Sequence, residues 1–209
     1  MKREFLKRIA LVLLLAAGLL LVMNFDYFWK NLKFYFVHPK ADDGSDLVHV
    51  SKGEPNTLSI ESLAIDTPVI YVEEDTEDVF QEALERGVVH FPGTANPGEY
   101  GNVYIFGHSS DNAWAKGDYK TIFALLPRIQ IGAKIILTDW NGNSFVYTVK
   151  ETFVAGANDV HLLDQGEYKK RILTLQTSYP IGTSLKRYIV VAEIEEEKGP
   201  EGVVNPNPS

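Results

Sequence analysis

Residues 134–153 read KIILTDWNGNSFVYTVKETF, which is two β-rich stretches separated by a turn. The turn contains Asn141-Gly142, a pair that favours the tight turns between antiparallel strands because these residues tolerate a positive φ. We therefore predict strands over 134–139 and 144–153. Further β-rich stretches lie outside this hairpin, and they are predicted over 58–63, 65–72, 102–106, 171–177 and 187–194.

Helical signals are few and short. Thr76 precedes a stretch with acidic residues in its first turn, which predicts a helix over 77–86 that Gly87 ends in the left-handed cap position. A second short helix is predicted over 119–126. Seven or eight short strands with only small helices predict an all-β protein, in the form of a closed or nearly closed β-barrel.

The composition excludes several functional classes. The chain has 209 residues and a net charge of −8, with a sequence pI near 5.1, which argues against a nucleic-acid-binding protein because such a protein needs a basic face for phosphates. It contains no cysteine, and its five histidines show no i,i+4 pair, so no metal site and no cofactor are predicted. The acidic residues Asp42, Asp43 and Asp46 lack the other features of a calcium loop and are interpreted as solvated linker.

The N-terminus resembles a membrane anchor. Four basic residues in the first eight precede an apolar run from Ile9 to Met23, and aromatic residues follow it. We predict a single-pass protein of the cell membrane with its folded domain on the extracytoplasmic side. A cleaved signal peptide is the competing interpretation, although no small-x-small site follows Met23. The predicted segments are a cytoplasmic basic stretch (1–8), a transmembrane signal anchor (9–29), a juxtamembrane stalk (30–56), the barrel (57–195) and a disordered tail (196–209).

Three places carry residues suited to chemistry. Gly107-His108-Ser-Ser follows one strand directly, Thr-Leu-Gln-Thr177-Ser178-Tyr-Pro ends another, and Arg187 opens a third strand nine residues after Ser178. Each has an ordinary structural explanation by itself, such as a surface histidine, a turn-capping serine or a charge that protects a sheet edge. The three together are a far more specific indication of a catalytic site than any one of them alone.

This combination resembles the sortases, over roughly residues 58–194. The matching features are strand–Gly-His-Ser-Ser, a hairpin, Thr-Leu-x-Thr-[Cys]-x-Pro, and an arginine at the short spacing found in some branches. The resemblance implies an eight-stranded β-barrel preceded by a transmembrane helix. It also implies that His108, Ser178 and Arg187 hold the family's catalytic positions, and that Thr177 lines the same pocket.

The resemblance further implies a transpeptidase. In the family a thiolate attacks the Thr–Gly bond of an LPxTG-like sorting signal, and an amine of a peptidoglycan precursor or pilin then takes the acyl group. The expected partners are therefore sorting-signal proteins, an amine acceptor and the membrane, without nucleic acid. The loop over 155–165 is expected to close over the signal. Its apolar residues Val160, Leu162 and Leu163 are candidates to bind the Leu-Pro part, or else to plug the barrel end.

Ser178 departs from the family pattern, which has cysteine at this position. A serine hydroxyl is far less acidic than a thiol and needs an oriented base, so impaired activity is expected. Three explanations stay open: an engineered substitution, a natural pseudoenzyme that binds sorting signals, and a natural, slow serine acyltransferase.

Two rival functions come from other classes. One is a non-catalytic, membrane-tethered module that binds sorting signals. The other is a serine hydrolase using Ser109 or Ser110, since Gly107-His108-Ser109-Ser110-Asp111 begins like a nucleophile elbow. Asp111 replaces the last glycine of that motif, which counts against the hydrolase.

Overall fold

The structure is a computed structural model that describes residues 2–23, 53–110, 117–165 and 169–194, together with Trp29 and Leu32. Two α-helices and eight β-strands make up the described regular structure, with three short 3-10 helices between them. The helices are α1 (Lys2–Met23) and α2 (Glu77–Leu84). The strands are β1 (Thr57–Ile60), β2 (Ile65–Tyr71), β3 (Val88–His90), β4 (Gly101–Phe106), β5 (Lys134–Thr138), β6 (Ser144–Gly156), β7 (Arg171–Tyr179) and β8 (Lys186–Glu193). The 3-10 helices are Glu61–Leu63, Leu126–Arg128 and Val160–Leu163.

The eight strands form a closed barrel in the order β1-β2-β3-β4-β7-β8-β6-β5. This confirms the predicted all-β, eight-stranded barrel. Only β2 with β3 and β4 with β7 pair in parallel, while the other neighbours are antiparallel. Closure satisfies both edges of the sheet, so none of the eight strands leaves a free edge.

The predicted hairpin is present as β5 and β6. Thr138 pairs with Ser144, and Gly142 in the turn has φ +82°. The Asp139 carboxylate accepts hydrogen bonds from the backbone N–H groups of Asn141 (2.7 Å) and Asn143 (2.9 Å). Burial alone would raise the pKa of the Asp139 carboxyl, but these bonds outweigh burial and lower it.

Alternating side chains of the strands fill the barrel. The fully buried side chains include Leu58 on β1, Leu137 on β5, and Leu173 and Leu175 on β7. A smaller cluster lies outside the barrel wall, where α2 packs on β3 and β4 through residues that include Leu84, Phe80 and Phe106. Burial of each large aliphatic side chain stabilises the fold by about 1.5–3 kcal/mol.

Two helical predictions need correction. Over 119–126 the chain forms turns, and a 3-10 helix then follows at Leu126–Arg128. Gly87 was expected in the left-handed region, but it is not among the glycines with positive φ. Position 87 requires glycine for a steric reason instead, because a Cβ on Gly87 would overlap the carbonyl oxygen of Pro68. The helix ends earlier than predicted, at Leu84.

The described residues cover only part of the N-terminal region, for which a membrane anchor and a stalk were predicted. Residues 2–23 are helical. Within the described ranges, no helix combines the length and the apolar character needed to cross a membrane. The structure therefore does not show the predicted transmembrane anchor over 9–29, of which 24–28 lie outside the described residues. The predicted stalk over 30–56 falls mostly outside them, and the tail over 196–209 falls entirely outside them.

Candidate active site

The parallel pairing of β4 with β7 brings the first two sequence motifs together. The register runs from Gly101 with Arg171 to Phe106 with Gln176. Beyond the last pair, Gly107 N–H donates to the Gln176 carbonyl (3.1 Å), and Thr177 Oγ1 donates to the Gly107 carbonyl (2.9 Å). These bonds continue the contact for one residue past β4 and bring the segment that carries His108 next to the end of β7. If the register continued to His108, this residue would lie level with Ser178.

Gly107 permits this close approach. A Cβ on Gly107 would lie 2.8 Å from Phe123 Cδ2 and 2.9 Å from Val88 Cγ1, both of which belong to fully buried side chains. On the other side, Phe123 N–H donates to the His108 carbonyl (2.9 Å). The backbone that carries His108 is therefore held between β7 and the core.

Ser178 lies between the other two predicted site residues. In the antiparallel pairing of β7 with β8, Ser178 is directly opposite Arg187. Opposite residues of an antiparallel pair share one face, with Cβ atoms about 4.5–5.5 Å apart. At this end of the sheet the order is thus His108, which lies two residues past the end of β4, then Ser178 on β7 and Arg187 on β8. Thr177 points the opposite way and is 1% exposed, so it supports the site from the core side instead of lining its open face.

The Arg187 guanidinium is partly anchored by the backbone. Its Nη1 donates to the carbonyl oxygens of Ser184 (3.0 Å) and Lys186 (3.1 Å). These bonds fix one arm of the guanidinium, and a planar fork of five N–H donors leaves others for an additional acceptor. This is the arrangement needed to hold a carbonyl or an oxyanion beside Ser178.

A further bond joins the two loops that flank the site. Ser110 Oγ accepts a hydrogen bond from Gly182 N–H (2.9 Å), which links the segment after His108 to the β7–β8 turn. Gly182 has φ +83°, and the turn is closed by Thr183 N–H donating to the Pro180 carbonyl (3.0 Å). No local sequence pattern predicts this link, because its partners are 72 positions apart.

The loop between β6 and β7 is fastened to β4 by two amide side chains. Asn102 Nδ2 donates to the Leu162 carbonyl (3.0 Å), and Asn102 Oδ1 accepts from Thr174 Oγ1 (2.8 Å). Gln165 Oε1 accepts from the backbone N–H groups of Ala95 (3.2 Å) and Asn102 (3.1 Å). We call this set, Asn102, Thr174 and Gln165, the amide staple. Sequence patterns did not point to it.

The predicted specificity residues all lie on this fastened segment. Val160, Leu162 and Leu163 share the 3-10 helix Val160–Leu163, which begins where the Asp159 carboxylate accepts from His161 N–H (3.3 Å). Val160 is 69% exposed, whereas both leucines are half-buried. Only Val160 therefore presents most of its side chain to solvent.

Sequence reasoning missed two polar residues near the proposed site, Gln176 on β7 and Tyr104 on β4. Gln176 is two positions before Ser178 on β7, so the two side chains share a face. The Tyr104 hydroxyl donates a hydrogen bond to Gln176 Oε1. Burial raises the pKa of the Tyr104 hydroxyl far above its ordinary value of 10.0, although the positive charge of Arg187 acts in the opposite direction. The hydroxyl thus stays protonated at neutral pH and keeps its role as donor. The period-2 alternation of β7 was the available signal for Gln176.

The rival elbow at Ser109 and Ser110 does not fit this fold. A nucleophile elbow needs a strand-to-helix turn in a parallel α/β sheet. The segment after β4 is irregular through Ser110, and the sheet is mainly antiparallel. Ser109 is 1% exposed, which withholds it from a substrate.

Comparisons with known proteins identify the family of this fold. The Sortase domain family model matches residues 58–195, which is most of the chain. The chain belongs to the sortase family. A search of curated protein sequences found no match.

Solved sortase structures have the same fold as this sortase. A sortase D5 transpeptidase of Clostridium perfringens is 28% identical with a TM-score of 0.54, over 71% of this chain and 83% of that one. Sortase E of Streptomyces avermitilis is 26% identical with a TM-score of 0.53, over 70% and 91%. A lid mutant of sortase A from Corynebacterium diphtheriae is 25% identical with a TM-score of 0.55, over 67% and 69%. These matches support a sortase transpeptidase in general terms.

Proposed function

We propose that this sortase binds an LPxTG-like sorting signal across the open face of β4, β7 and β8, with the scissile carbonyl at Ser178. The proposal is supported by the pairing of Ser178 with Arg187 and by the parallel pairing of β4 with β7, which ends two residues before His108. A nucleophile, a proton carrier and a fixed cation on one face suit acyl transfer.

The proposed chemistry has two steps. The side chain at position 178 gives its proton to His108 and its heteroatom bonds to the carbonyl carbon of the signal; the peptide C–N bond then breaks as His108 passes that proton to the leaving amine. An incoming amine then attacks the acyl-enzyme, passes its proton to His108, and releases the side chain at position 178. A single imidazole suits both transfers because its ordinary pKa lies near neutrality. Arg187 would stabilise the oxyanion of each tetrahedral intermediate.

Ser178 makes this chain a poor catalyst in this scheme. A thiol has an ordinary pKa of about 8.5, and part of it ionises beside basic groups, whereas a serine hydroxyl does not. Each loss of about 1.4 kcal/mol in transition-state stabilisation slows the reaction tenfold. We therefore propose that the serine form binds signals with little or no turnover, and that a cysteine at this position turns over.

The serine also favours the second candidate, a membrane-tethered module that binds sorting signals without cleaving them. Both candidates share the expected position outside the cytoplasm, which rests on the basic residues ahead of the apolar N-terminal run. They differ in whether His108 and Arg187 support catalysis once Ser178 is replaced by cysteine.

The deciding experiment compares the parent chain, which carries Ser178, with three variants: Ser178→Cys, the double variant Ser178→Cys/His108→Ala, and Ser178→Ala. Each is incubated with an LPxTG-type peptide and a glycine-based amine, and intact protein and products are analysed by mass spectrometry. We expect an acyl-enzyme and a transpeptidation product from Ser178→Cys, loss of product when His108 is also replaced, and no adduct from Ser178→Ala. Peptide binding by the serine form with no product from any variant would favour the binding module. Absence of both binding and product across sorting-signal variants would reject the proposed function.

A further inference from the structure

One serine side chain joins the two loops that flank the candidate site. Ser110 Oγ accepts a hydrogen bond from Gly182 N–H (2.9 Å), although the two residues are 72 positions apart. Ser110 lies two residues after His108 on the segment that follows β4, and Gly182 belongs to the turn between β7 and β8. The bond therefore connects the segment that carries His108 with the turn that leads to Arg187.

The segment that carries Ser110 is firmly held. Gly107, at its start, is bonded to β7 through both its N–H (3.1 Å) and its carbonyl oxygen (2.9 Å). The His108 carbonyl accepts a hydrogen bond from the N–H of Phe123 (2.9 Å), whose side chain is fully buried. Ser109 is buried as well. These contacts make Ser110 Oγ an acceptor on a fixed part of the barrel.

The turn on the other side of the bond is exposed. All of its residues from 182 to 186 are exposed, so packing contributes little to its position. Within the turn, the Pro180 carbonyl accepts hydrogen bonds from the N–H (3.0 Å) and from Oγ1 (2.8 Å) of Thr183. These two bonds close the turn on itself but do not attach it to the barrel. The bond from Gly182 to Ser110 provides such an attachment.

The Arg187 guanidinium takes its position from the same turn. Its Nη1 donates to the Ser184 carbonyl (3.0 Å), which is two residues after Gly182, and to the Lys186 carbonyl (3.1 Å). A displacement of the turn moves the Ser184 carbonyl, and the guanidinium moves with it. The displacement matters for catalysis because donors stabilise an oxyanion only when they already point at the place where its charge develops.

We infer that Ser110 is a positioning residue for the Arg187 guanidinium. Its hydroxyl oxygen holds the β7–β8 turn through Gly182, and the turn holds the guanidinium through the Ser184 carbonyl. This inference rests on the proposed function, in which Arg187 stabilises the oxyanion beside position 178. Ser110 acts through Arg187 and needs no contact with the substrate.

The first test measures transpeptidation by the full chain with Ser178→Cys, using an LPxTG-type peptide and a glycine-based amine. Adding Ser110→Ala should lower kcat by about 3- to 10-fold with little change in KM, which is the effect of about one hydrogen bond on an interaction made in the transition state. Adding Ser110→Thr keeps a hydroxyl acceptor and should restore kcat to within about 2-fold.

Thr57→Val is the matched control for the loss of a hydroxyl group. It removes an exposed hydrogen bond from Thr57 Oγ1 to the Glu54 carbonyl (2.7 Å) on β1, a strand that pairs with neither β7 nor β8. In the Ser178→Cys background this variant should leave kcat and KM unchanged.

A double-variant comparison separates positioning from general damage. Ser110→Ala is combined with Arg187→Lys in the Ser178→Cys background, because an ammonium group lacks the planar fork that the turn orients. If Ser110 acts through Arg187, Ser110→Ala should change kcat by less than about 2-fold once residue 187 is lysine. Partial unfolding would lower kcat by the same factor in both backgrounds, so an equal factor refutes the inference.

Hydrogen exchange tests the bond without catalysis. In the parent chain with Ser178, the Gly182 amide proton should exchange at least about 3-fold faster after Ser110→Ala, because it loses its acceptor. The same proton should keep its rate in Thr57→Val. An unchanged rate in Ser110→Ala would overturn the inference whatever the activity of the other variants.

The outcomes distinguish this inference from the proposed function. If Ser178→Cys forms product and Ser178→Cys/Ser110→Ala forms it at the same rate, the inference is wrong and the proposed function stands. If Ser178→Cys forms no product with any sorting-signal variant, the proposed catalysis is wrong and the inference falls with it.

Discussion

The amide staple provides a sharp test of how the β6–β7 loop is held. Asn102 is 6% exposed and Thr174 is 4% exposed, so their mutual hydrogen bond of 2.8 Å is shielded from water. Replacing Asn102 with alanine removes that bond and the 3.0 Å bond to the Leu162 carbonyl. It also leaves the Thr174 hydroxyl buried without its acceptor.

The size of the effect follows from these contacts. Two lost hydrogen bonds at about 1 kcal/mol each, plus the desolvation cost of an unpaired hydroxyl, give a loss of about 2–4 kcal/mol in the free energy of unfolding. Thr174→Val keeps the side-chain shape, removes one bond, and should cost about 1–2 kcal/mol. Because the two variants share that bond, the double variant should cost less than the sum by about 1 kcal/mol.

The assay combines urea unfolding with hydrogen exchange. Unfolding of the parent, both single variants and the double variant gives the coupling energy. Hydrogen exchange of residues 160–165 reports the loop, and it should accelerate in Asn102→Ala but much less in Thr174→Val, since only the first loses the Leu162 contact. Additive free energies, or unchanged exchange of the loop in Asn102→Ala, would refute the idea that the staple fastens the loop.

Two further predictions concern stability. Gly98 has φ +80°, and a Cβ there would overlap the Phe145 ring, so Gly98→Ala should lower the free energy of unfolding by about 2–4 kcal/mol. Gly93→Ala is the matched control, with φ +79° and open space, and should cost only about 1–2 kcal/mol in urea unfolding; equal losses would contradict the overlap argument. Burial lowers the pKa of His90 in the folded state from its ordinary value of 6.5. Above pH 6.5 the ring is neutral in the folded and the unfolded protein. As the pH falls from 6.5 towards the folded-state pKa, only the unfolded protein gains the proton, so the free energy of unfolding decreases. Unfolding between about pH 8 and about pH 5 should show this loss, and His90→Asn should show a shallower one; an identical slope would rule out His90 as its source.

Much of the barrel was predictable from local patterns. The hairpin of β5 and β6 follows from alternating side chains around Asn141-Gly142, and both the turn and its flanking strands are present. Strands β2, β7 and β8 lie within two residues of their predicted bounds at each end. Such elements are predictable because their side chains repeat every second residue and their turns need particular backbone angles.

Short elements without their own pattern were not predictable. β3 has only three residues, and all three are buried, so no alternation marks it. The stretch over 119–126 contains helix-compatible residues, but packing of Phe123 and Leu126 into the core gives turns and a 3-10 helix instead. Gly87 is required by the approach of the Pro68 carbonyl, which is 19 positions away in the chain.

The candidate site also has parts that were predictable from the sequence and parts that were not. The sequence by itself determined which residue types end β4 and β7 and open β8, and the family resemblance singled out His108, Ser178 and Arg187 among them. Only the tertiary structure decided that β4 and β7 pair in parallel across about 70 residues, which brings the segment that carries His108 next to the end of β7. It also decided the partners of Asn102, Gln165 and Gln176. Alternation tells which face a side chain takes, but its partner depends on which distant strand closes the barrel against it.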